Sequence, residues 1–321
     1  MAGCAVKIEK EFDVLGLGCV AVDDLVYVEA YPAADAKVSV LRSERQCGGL
    51  TATALVAASR LGSRCTFAGV VGVDDLSQYG IDRMREEGID LTHLRRRPEA
   101  RVVHSFIVVD SENDTRNIFA DLNGVMGADP DWPEEQVILN SRVLLVDHFG
   151  LEGMIRAARI AHAARIPVVA DFEKISGPEF PALLELVDHL ILSRSFAEKL
   201  TGESNPADAA QALWTDRADT VIVTCGVDGC WRLGVRETGG VRHQPAFNVK
   251  TVDTTGCGDV FHGAYASALA RGLDLEERIR FASAAAALKA TQPGGQAGIP
   301  DRSAVEAFMS PSTFQIERRI K

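Results

Sequence analysis

No run of about 18 consecutive apolar residues occurs in the chain, so a membrane-spanning helix is not expected. The amino terminus carries Glu9, Glu11 and Asp13 and has no apolar stretch of signal-peptide length. No CxxC pair is present, and no set of Cys and His has the spacing of a zinc site. The seven cysteines (Cys4, Cys19, Cys47, Cys65, Cys225, Cys230 and Cys257) are odd in number. They read as reduced thiols of a cytoplasmic protein. Positive charge is in short supply: 34 Lys and Arg face 45 Asp and Glu, for a net charge of −11. That balance argues against nucleic acid and against anionic membrane surfaces as partners. It leaves room for an anionic small ligand, because backbone donors can hold a phosphate in an acidic protein. The stretch GLGCVA lacks the third glycine of a dinucleotide fingerprint, so NAD is not expected. There is no internal repeat, low-complexity tract or linker. A single domain over residues 1–321 is the simplest organisation.

What the chain does contain is alternation. Phe12 to Val22 reads as one strand, with Asp23 and Asp24 at its end. From Val143 onward, apolar runs such as RVLLVD, IPVVADF, DHLILS and DTVIVTCG alternate with helical patterns. Continuous apolar strands between helices are the mark of a mostly parallel sheet covered on both faces. The segments around residues 25–47 and 100–122 differ in style. They are rich in β-branched and aromatic residues, with SEND as a hairpin turn, and suggest a small β-sheet apart from the main body. Arg95, Arg96 and Arg97 read as a solvated loop entering it. Asp147 and His148, adjacent on a strand, point to opposite faces and read as a strand-end turn.

The most informative stretch is VDTTGCGDVFHGA, residues 252–264. Helical spacing begins at Asp259, with Phe261, Ala264, Tyr265, Ala268 and Leu269 as the inner stripe. Gly256 and Gly258 on either side of Cys257 would permit positive φ and close approach. Successive amides at a helix N-terminus then make an anion hole suited to a transferring phosphoryl group. Asp259 would face the other reactant, a hydroxyl, and accept its proton. The helix N-terminus should hold that carboxylate ionised, a weak base but a good orienter. The plain alternative is an N-cap aspartate after a tight turn. His262, one turn on, either flanks this site or packs the helix.

This stretch resembles the signature of the ribokinase-like (PfkB) carbohydrate kinases. CGGLTATALVAASRLG, VTCGVDGCW and AAAALKATQPGGQAGIP resemble further segments of that family. HQPAFNVKTVDTTG and QPGGQAGIP are most similar to the ketohexokinase and sulfofructose kinase branch. The resemblance implies a three-layer α/β fold with a small β-sheet lid. It also implies ATP and Mg2+, a small-molecule sugar substrate and phosphoryl transfer to a hydroxyl. It makes Asp259 the base and Gly256, Cys257 and Gly258 the anion hole. Asp23, Gly48 and Gly49 match sugar-contacting positions, and Arg116 matches a lid arginine near the transferred phosphate. Thr53 and Leu50 stand where asparagines are usual, so the hydroxyl pattern read differs from that of simple fructose or ribose. Lys37 lies in the lid segment, within reach of an anionic substituent. Phe149 stands near the place of a further arginine in sulfofructose kinases, which disfavours a sulfonated substrate. Thr224, Gly226 and Gly229 match the nucleotide turn, and Ser283 an adenine-side position. Ser193 and Phe196 occupy the places of the Asn-x-x-Glu motif linked to magnesium, which leaves the metal to the nucleotide and water. Asp253 and Thr255 sit where many relatives bind a monovalent cation, K+. A homodimer through the lid is expected, since open sheet edges need covering. A ketose or modified-ketose kinase is the leading function. A nucleoside kinase of the same fold and a non-catalytic sugar-binding regulator are the alternatives.

Overall fold

The computed structural model describes residues 10–113, 115–235 and 239–310. Cys4 and Glu9 lie outside the described residues. In chain order the first elements are β1 (Phe12–Leu17), β2 (Ala21–Val28), β3 (Arg42–Gly48), α1 (Leu50–Arg60), β4 (Cys65–Phe67), β5 (Val70–Val71) and α2 (Asp75–Glu86). Then come β6 (Arg95–Arg96), β7 (Val103–Asp110), β8 (Thr115–Asp121), α3 (Glu135–Leu139), β9 (Ser141–Val146), α4 (Leu151–Ala163) and β10 (Val168–Asp171). Next are α5 (Phe180–Leu184), β11 (His189–Ser193), α6 (Arg194–Thr201), α7 (Pro206–Ala212), β12 (Thr220–Thr224) and β13 (Cys230–Gly234). The last are β14 (Arg242–Gln244), α8 (Cys257–Ala270), α9 (Leu275–Ala290) and α10 (Arg302–Met309).

Eight strands form one sheet in the order β14-β13-β12-β11-β10-β9-β1-β4. It is parallel from β12 through to β4, and antiparallel at β12–β13 and β13–β14. Its parallel strands are mostly apolar because both faces are covered, whereas the edge strand β14 is polar and exposed. One face packs against α1, α8 and α9 through Leu55, Phe261, Tyr265 and Phe281. The other packs against α4 to α7 through Met154, Leu183, Phe196 and Leu213. A second sheet, β3-β2-β7-β8, stands beside the first.

Phe12 to Val22 is two strands in two sheets rather than one. The break falls at Gly18, where an added Cβ would lie 2.0 Å from Thr51 Oγ1 and 2.1 Å from Asp147 Oδ2. The next amide, Cys19 N–H, donates to Asp147 Oδ2 at 2.7 Å. The chain is drawn out of the first sheet there and enters the second at Ala21. Asp23 is therefore the third residue of β2, not the end of the first strand. CTFAGVVG divides likewise, Cys65–Phe67 joining the large sheet and Val70–Val71 pairing with β6.

The arginine run is not a solvated loop. Arg95 and Arg96 pair with β5, and Arg95 and Arg97 both reach the carboxylate of Asp129, which is buried. A buried carboxylate requires such partners, and that need orders the segment.

Two helices, α1 and α8, meet at a close backbone contact. At Gly263 of α8 an added Cβ would stand 2.0 Å from the Ala54 carbonyl oxygen of α1. Backbone meets backbone there, so the amino ends of α1 and α8 are fixed on the same side of the sheet. Both open on glycine: Gly49 caps α1 and Gly256 caps α8.

Candidate active site

α8 starts at Cys257, so Asp259 is its third residue and lies in the first turn. Gly256 has φ 74° and ψ 1°, and a Cβ there would sit 2.8 Å from the Gly295 carbonyl oxygen. Only glycine suits that position. Gly258 differs from the expectation. It lies inside the helix, and an added Cβ would meet no atom within 4 Å. Its missing side chain thus opens space toward the outside of the turn and serves no left-handed bend. The Cys257 N–H closes the turn on the Thr254 carbonyl at 3.2 Å. Among the described residues, no hydrogen bond of the chain takes up the N–H of Gly256 or Gly258. Those two amides, at the positive end of α8, remain to meet an anion. The Cys257 thiol contacts the Ala286 carbonyl at 3.6 Å, and burial pushes its pKa up. That makes it a poor nucleophile.

The Asp259 carboxyl is not held at low pKa by the helix end. Burial pushes it well above the ordinary range, and Asp171, Glu173 and Asp147 push the same way. His262 opposes them. A carboxylate so placed is a stronger base than a bare N-terminal aspartate. His262 lies beneath it. Its Nδ1 is 2.8 Å from the Gly258 carbonyl, and its Nε2 is 3.0 Å from the Ile191 carbonyl. Asp171 Oδ2 stands 3.2 Å from the same Nδ1. His262 is thus locked into the helix packing and also touches the acidic group behind Asp259. Asp147, completely buried, accepts from Cys19 N, Thr51 Oγ1 and Phe149 N, yet burial lifts its pKa to about 6. The sequence alone does not reveal the surroundings of Asp171 and Asp147, because the groups they meet, Cys19 and Thr51 for Asp147 and His262 for Asp171, lie far along the chain.

The second sheet brings a further group of residues. Register places Asp23 opposite Ser105, and parity along β7 and β8 puts Arg116 on the same face. Asp24, on the other face, pairs with Arg45 at 2.6 Å and His104 at 2.8 Å. Burial raises the Asp23 pKa, and its hydrogen bond with Ser105 lowers it. A Cβ at Gly48 would stand 2.7 Å from Asp23 Oδ2, so the glycine makes room for this carboxylate. Gly49, with φ 97°, would place a Cβ 2.7 Å from Ala21 N. Thr53 is buried in α1, and its hydroxyl accepts from Gln296 Nε2 at 3.0 Å. Gln46 accepts from Gly295 N at 3.2 Å. The two glutamines, of which only Gln296 falls in a stretch quoted above, tie the sheet and α1 to the loop beside Gly256. Leu50 joins an apolar group with Cys19, Ala21, Val103 and Met126. Arg116 reaches from β8 to Thr255 Oγ1 at 2.5 Å and stands 3.6 Å from Asp253 Oδ1. Lys37 lies on the exposed loop between β2 and β3 and makes no ion pair among the described residues.

Beyond the turn lies a cleft of about 600 Å³. Ser193, Thr224, Gly226, Gly229 and Ser283 line it, and Cys257 and Gly258 close its inner end. Gly226 (φ 57°) and Gly229 (φ 85°) shape the β12–β13 turn, and a Cβ at Gly229 would lie 2.1 Å from the Gln244 carbonyl. Phe247, Val249, Ala287 and Ala290 make its wall apolar. The volume and lining suit a nucleotide-sized ligand. A cleft of about 720 Å³ at the opposite ends of the strands, lined by His189 and Arg278, is far from this chemistry.

The profile described as pfkB family carbohydrate kinase matches residues 17–302. A ribokinase of Haemophilus influenzae is 29% identical over 91% of this chain and 97% of its own. An aminoimidazole riboside kinase of Salmonella typhimurium is 29% identical over 85% and 91% respectively. In fold, the chain is similar to an Arabidopsis thaliana ribokinase solved with ribose and ATP, at TM-score 0.81 and 23% identity. That likeness covers 92% of this chain and 98% of the other. These similarities do not single out the ketohexokinase and sulfofructose kinase branch.

Proposed function

Because the chain belongs to the pfkB family of carbohydrate kinases, we propose that it moves the γ-phosphoryl group of ATP to a hydroxyl of a sugar. The observation that carries the reading is the pair of unengaged amides, Gly256 and Gly258, at the helix end that bears Asp259, beside a nucleotide-sized cleft that Cys257 and Gly258 line. ATP would lie along Thr224, Gly226, Gly229, Ser193 and Ser283, with its γ-phosphate at the turn. The acceptor hydroxyl would face Asp259, and Asp23 would grip neighbouring hydroxyls, since a carboxylate accepts two such bonds. Asp259 takes the hydroxyl proton as the phosphoryl group arrives. The amides carry the charge spread over its equatorial oxygens.

No group of three or more His, Cys, Asp or Glu among the described residues could cage a metal ion. The donors present therefore fit Mg2+ carried by the nucleotide phosphates and water. When bound, Mg2+ would neutralise developing phosphate charge. The second sheet acts as a lid that excludes water, and the Arg116–Thr255 contact supports that role. Phe106 and Phe119, paired across β7 and β8 and half exposed, support a homodimer through that sheet. The unpaired cysteines support a cytoplasmic setting.

A ketose or modified ketose as the acceptor is supported by the stretches HQPAFNVKTVDTTG and QPGGQAGIP. Ribose or a riboside is the second reading, favoured by the ribokinase and the aminoimidazole riboside kinase named above. Initial rates of ADP release with fructose, modified ketoses, ribose, deoxyribose and ribosides decide between them. Silence across the whole panel would leave a sugar-binding regulator.

A further inference from the structure

Lys289 is an outlier in this core. It belongs to the last turn of α9, its side chain is completely buried, and its ammonium donates to the Asp253 carbonyl at 2.9 Å. Buried lysines are rare unless something negative holds them. Here the partner is the loop that enters the Gly256 turn. The same loop is pinned from every side. Asp253 Oδ1 accepts Thr255 N–H at 2.8 Å, and Oδ2 accepts Gly294 N–H at 2.9 Å. Arg116 adds a positive charge 3.6 Å from Oδ1. The N–H groups of Val252 and Asp253 both run to the Ala290 carbonyl at the end of α9. That end of the helix is negative and favours a cation.

The resemblance places a monovalent cation at Asp253 and Thr255. The residues present do not fit one. Both carboxylate oxygens and the carbonyl of Asp253 already have partners, Thr255 Oγ1 has Arg116, and two of these partners are cationic. A further cation would meet like charge in a half-buried site.

We propose that Lys289 supplies from within the chain the positive charge that a potassium ion would bring to this loop, and so holds the Gly256–Gly258 turn in shape without added cation. Lys289 touches neither reactant and is a positioning residue. The proposal rests on the kinase reading only for its effect on turnover. The charge on Lys289 is set by groups from several elements. Burial and Arg116 push its pKa below the usual lysine range, while Cys257, Asp253 and Asp259 pull it back.

The test has one readout that needs no activity. Thermal melting of the wild type and of Lys289→Met is followed in about 100 mM choline, sodium, potassium or ammonium chloride, where ionic strength is matched. The wild type should melt at one temperature in all four. Lys289→Met should melt lower in choline and be raised by potassium or ammonium. A wild type stabilised specifically by potassium would overturn the proposal, and so would a variant that no cation stabilises. The wild-type measurement stands even if the variant does not fold. In parallel, wild-type kcat should be the same in the four salts. The variant should lose about tenfold or more in choline, as removal of supporting partners commonly costs, and recover with ammonium or potassium. If no sugar in the panel supports turnover, the kinase reading fails while the melting data still decide the role of Lys289.

Discussion

Arg116 on β8 donates to Thr255 Oγ1 at 2.5 Å, the contact by which the second sheet touches the loop leading into α8. The Arg116 side chain is 44% exposed, so its ion pair with Asp253 adds little to stability. Its value lies in position: the residue it grips is the one before Gly256. Arg116→Ala should leave the melting temperature nearly unchanged and lower kcat/KM about a hundredfold, as loss of a positioning contact does. Melting and steady-state rates on one preparation check this, and equal melting with equal rates would remove Arg116 from the site.

Asp259 should behave as a base with a raised pKa, because burial and the charges of Asp171, Glu173 and Asp147 all disfavour its ionised form. Protonation removes a base, so kcat/KM should fall as pH drops, with its acid limb above the ordinary aspartate range. Asp259→Asn should lower kcat by about 10²- to 10⁴-fold. Affinity for a non-hydrolysable ATP analogue should be nearly unchanged by titration calorimetry. Wild-type-like turnover in that variant would contradict the assignment.

The βα rhythm, the glycine pair and the GxGD turn can be read from the chain because each is local. Strand runs, helix spacing and glycines lie within a few residues of one another. What cannot be read depends on contacts across long separations. The break at Gly18 exists because Asp147, far along the chain, occupies the space a side chain would need. Arg95 and Arg97 are ordered by one buried carboxylate, Asp129. Lys289 looks like an ordinary late-helix lysine until the loop at Asp253 folds over it. The reason for Gly258 is hidden in the same way. Sequence suggests a bend, whereas its φ is ordinary and the open space beside it is what matters.

Asp147 gives a pH signature of its own. Its folded-state pKa is about 6, above the ordinary aspartate value, so the native state binds the extra proton more tightly than the unfolded chain. Its contribution to stability is then present below the unfolded pKa and lost as pH rises toward about 6. Two pKa units correspond to about 3 kcal/mol. The difference in unfolding free energy between wild type and Asp147→Asn should change by about that amount between about pH 4 and the raised pKa. Urea titrations across that window test it. A pH-independent difference would mean that the buried carboxyl keeps an ordinary pKa.

Asp23 makes a prediction about which ligand feels a change. It shares a sheet face with Ser105, lies against Gly48, belongs to a different sheet from β12 and β13, and does not line the nucleotide-sized cleft. Asp23→Ala should therefore weaken sugar binding by about 1–3 kcal/mol, the cost of unpairing buried hydroxyls, with little effect on nucleotide. Equal losses for both ligands by calorimetry would contradict its place at the sugar.

The two glycines of the turn should answer alanine in opposite ways. At Gly256 the residue has φ 74°, and a Cβ would press to 2.8 Å from the Gly295 carbonyl. Gly256→Ala should destabilise the fold by about 1–3 kcal/mol, the usual cost of left-handed strain in a non-glycine residue. At Gly258 the helix has ordinary φ and nothing within 4 Å of a new methyl. Gly258→Ala should stabilise the protein by about 0.5–1 kcal/mol, because alanine is the better helix former. The same methyl would stand where a phosphate must approach the amide, so kcat should fall by about 10²-fold. A variant that is more stable and yet nearly inactive separates a ligand-facing glycine from a structural one. Denaturant melts and rates measured together make the comparison, and an active, stable Gly258→Ala would show that no phosphate comes close to that amide.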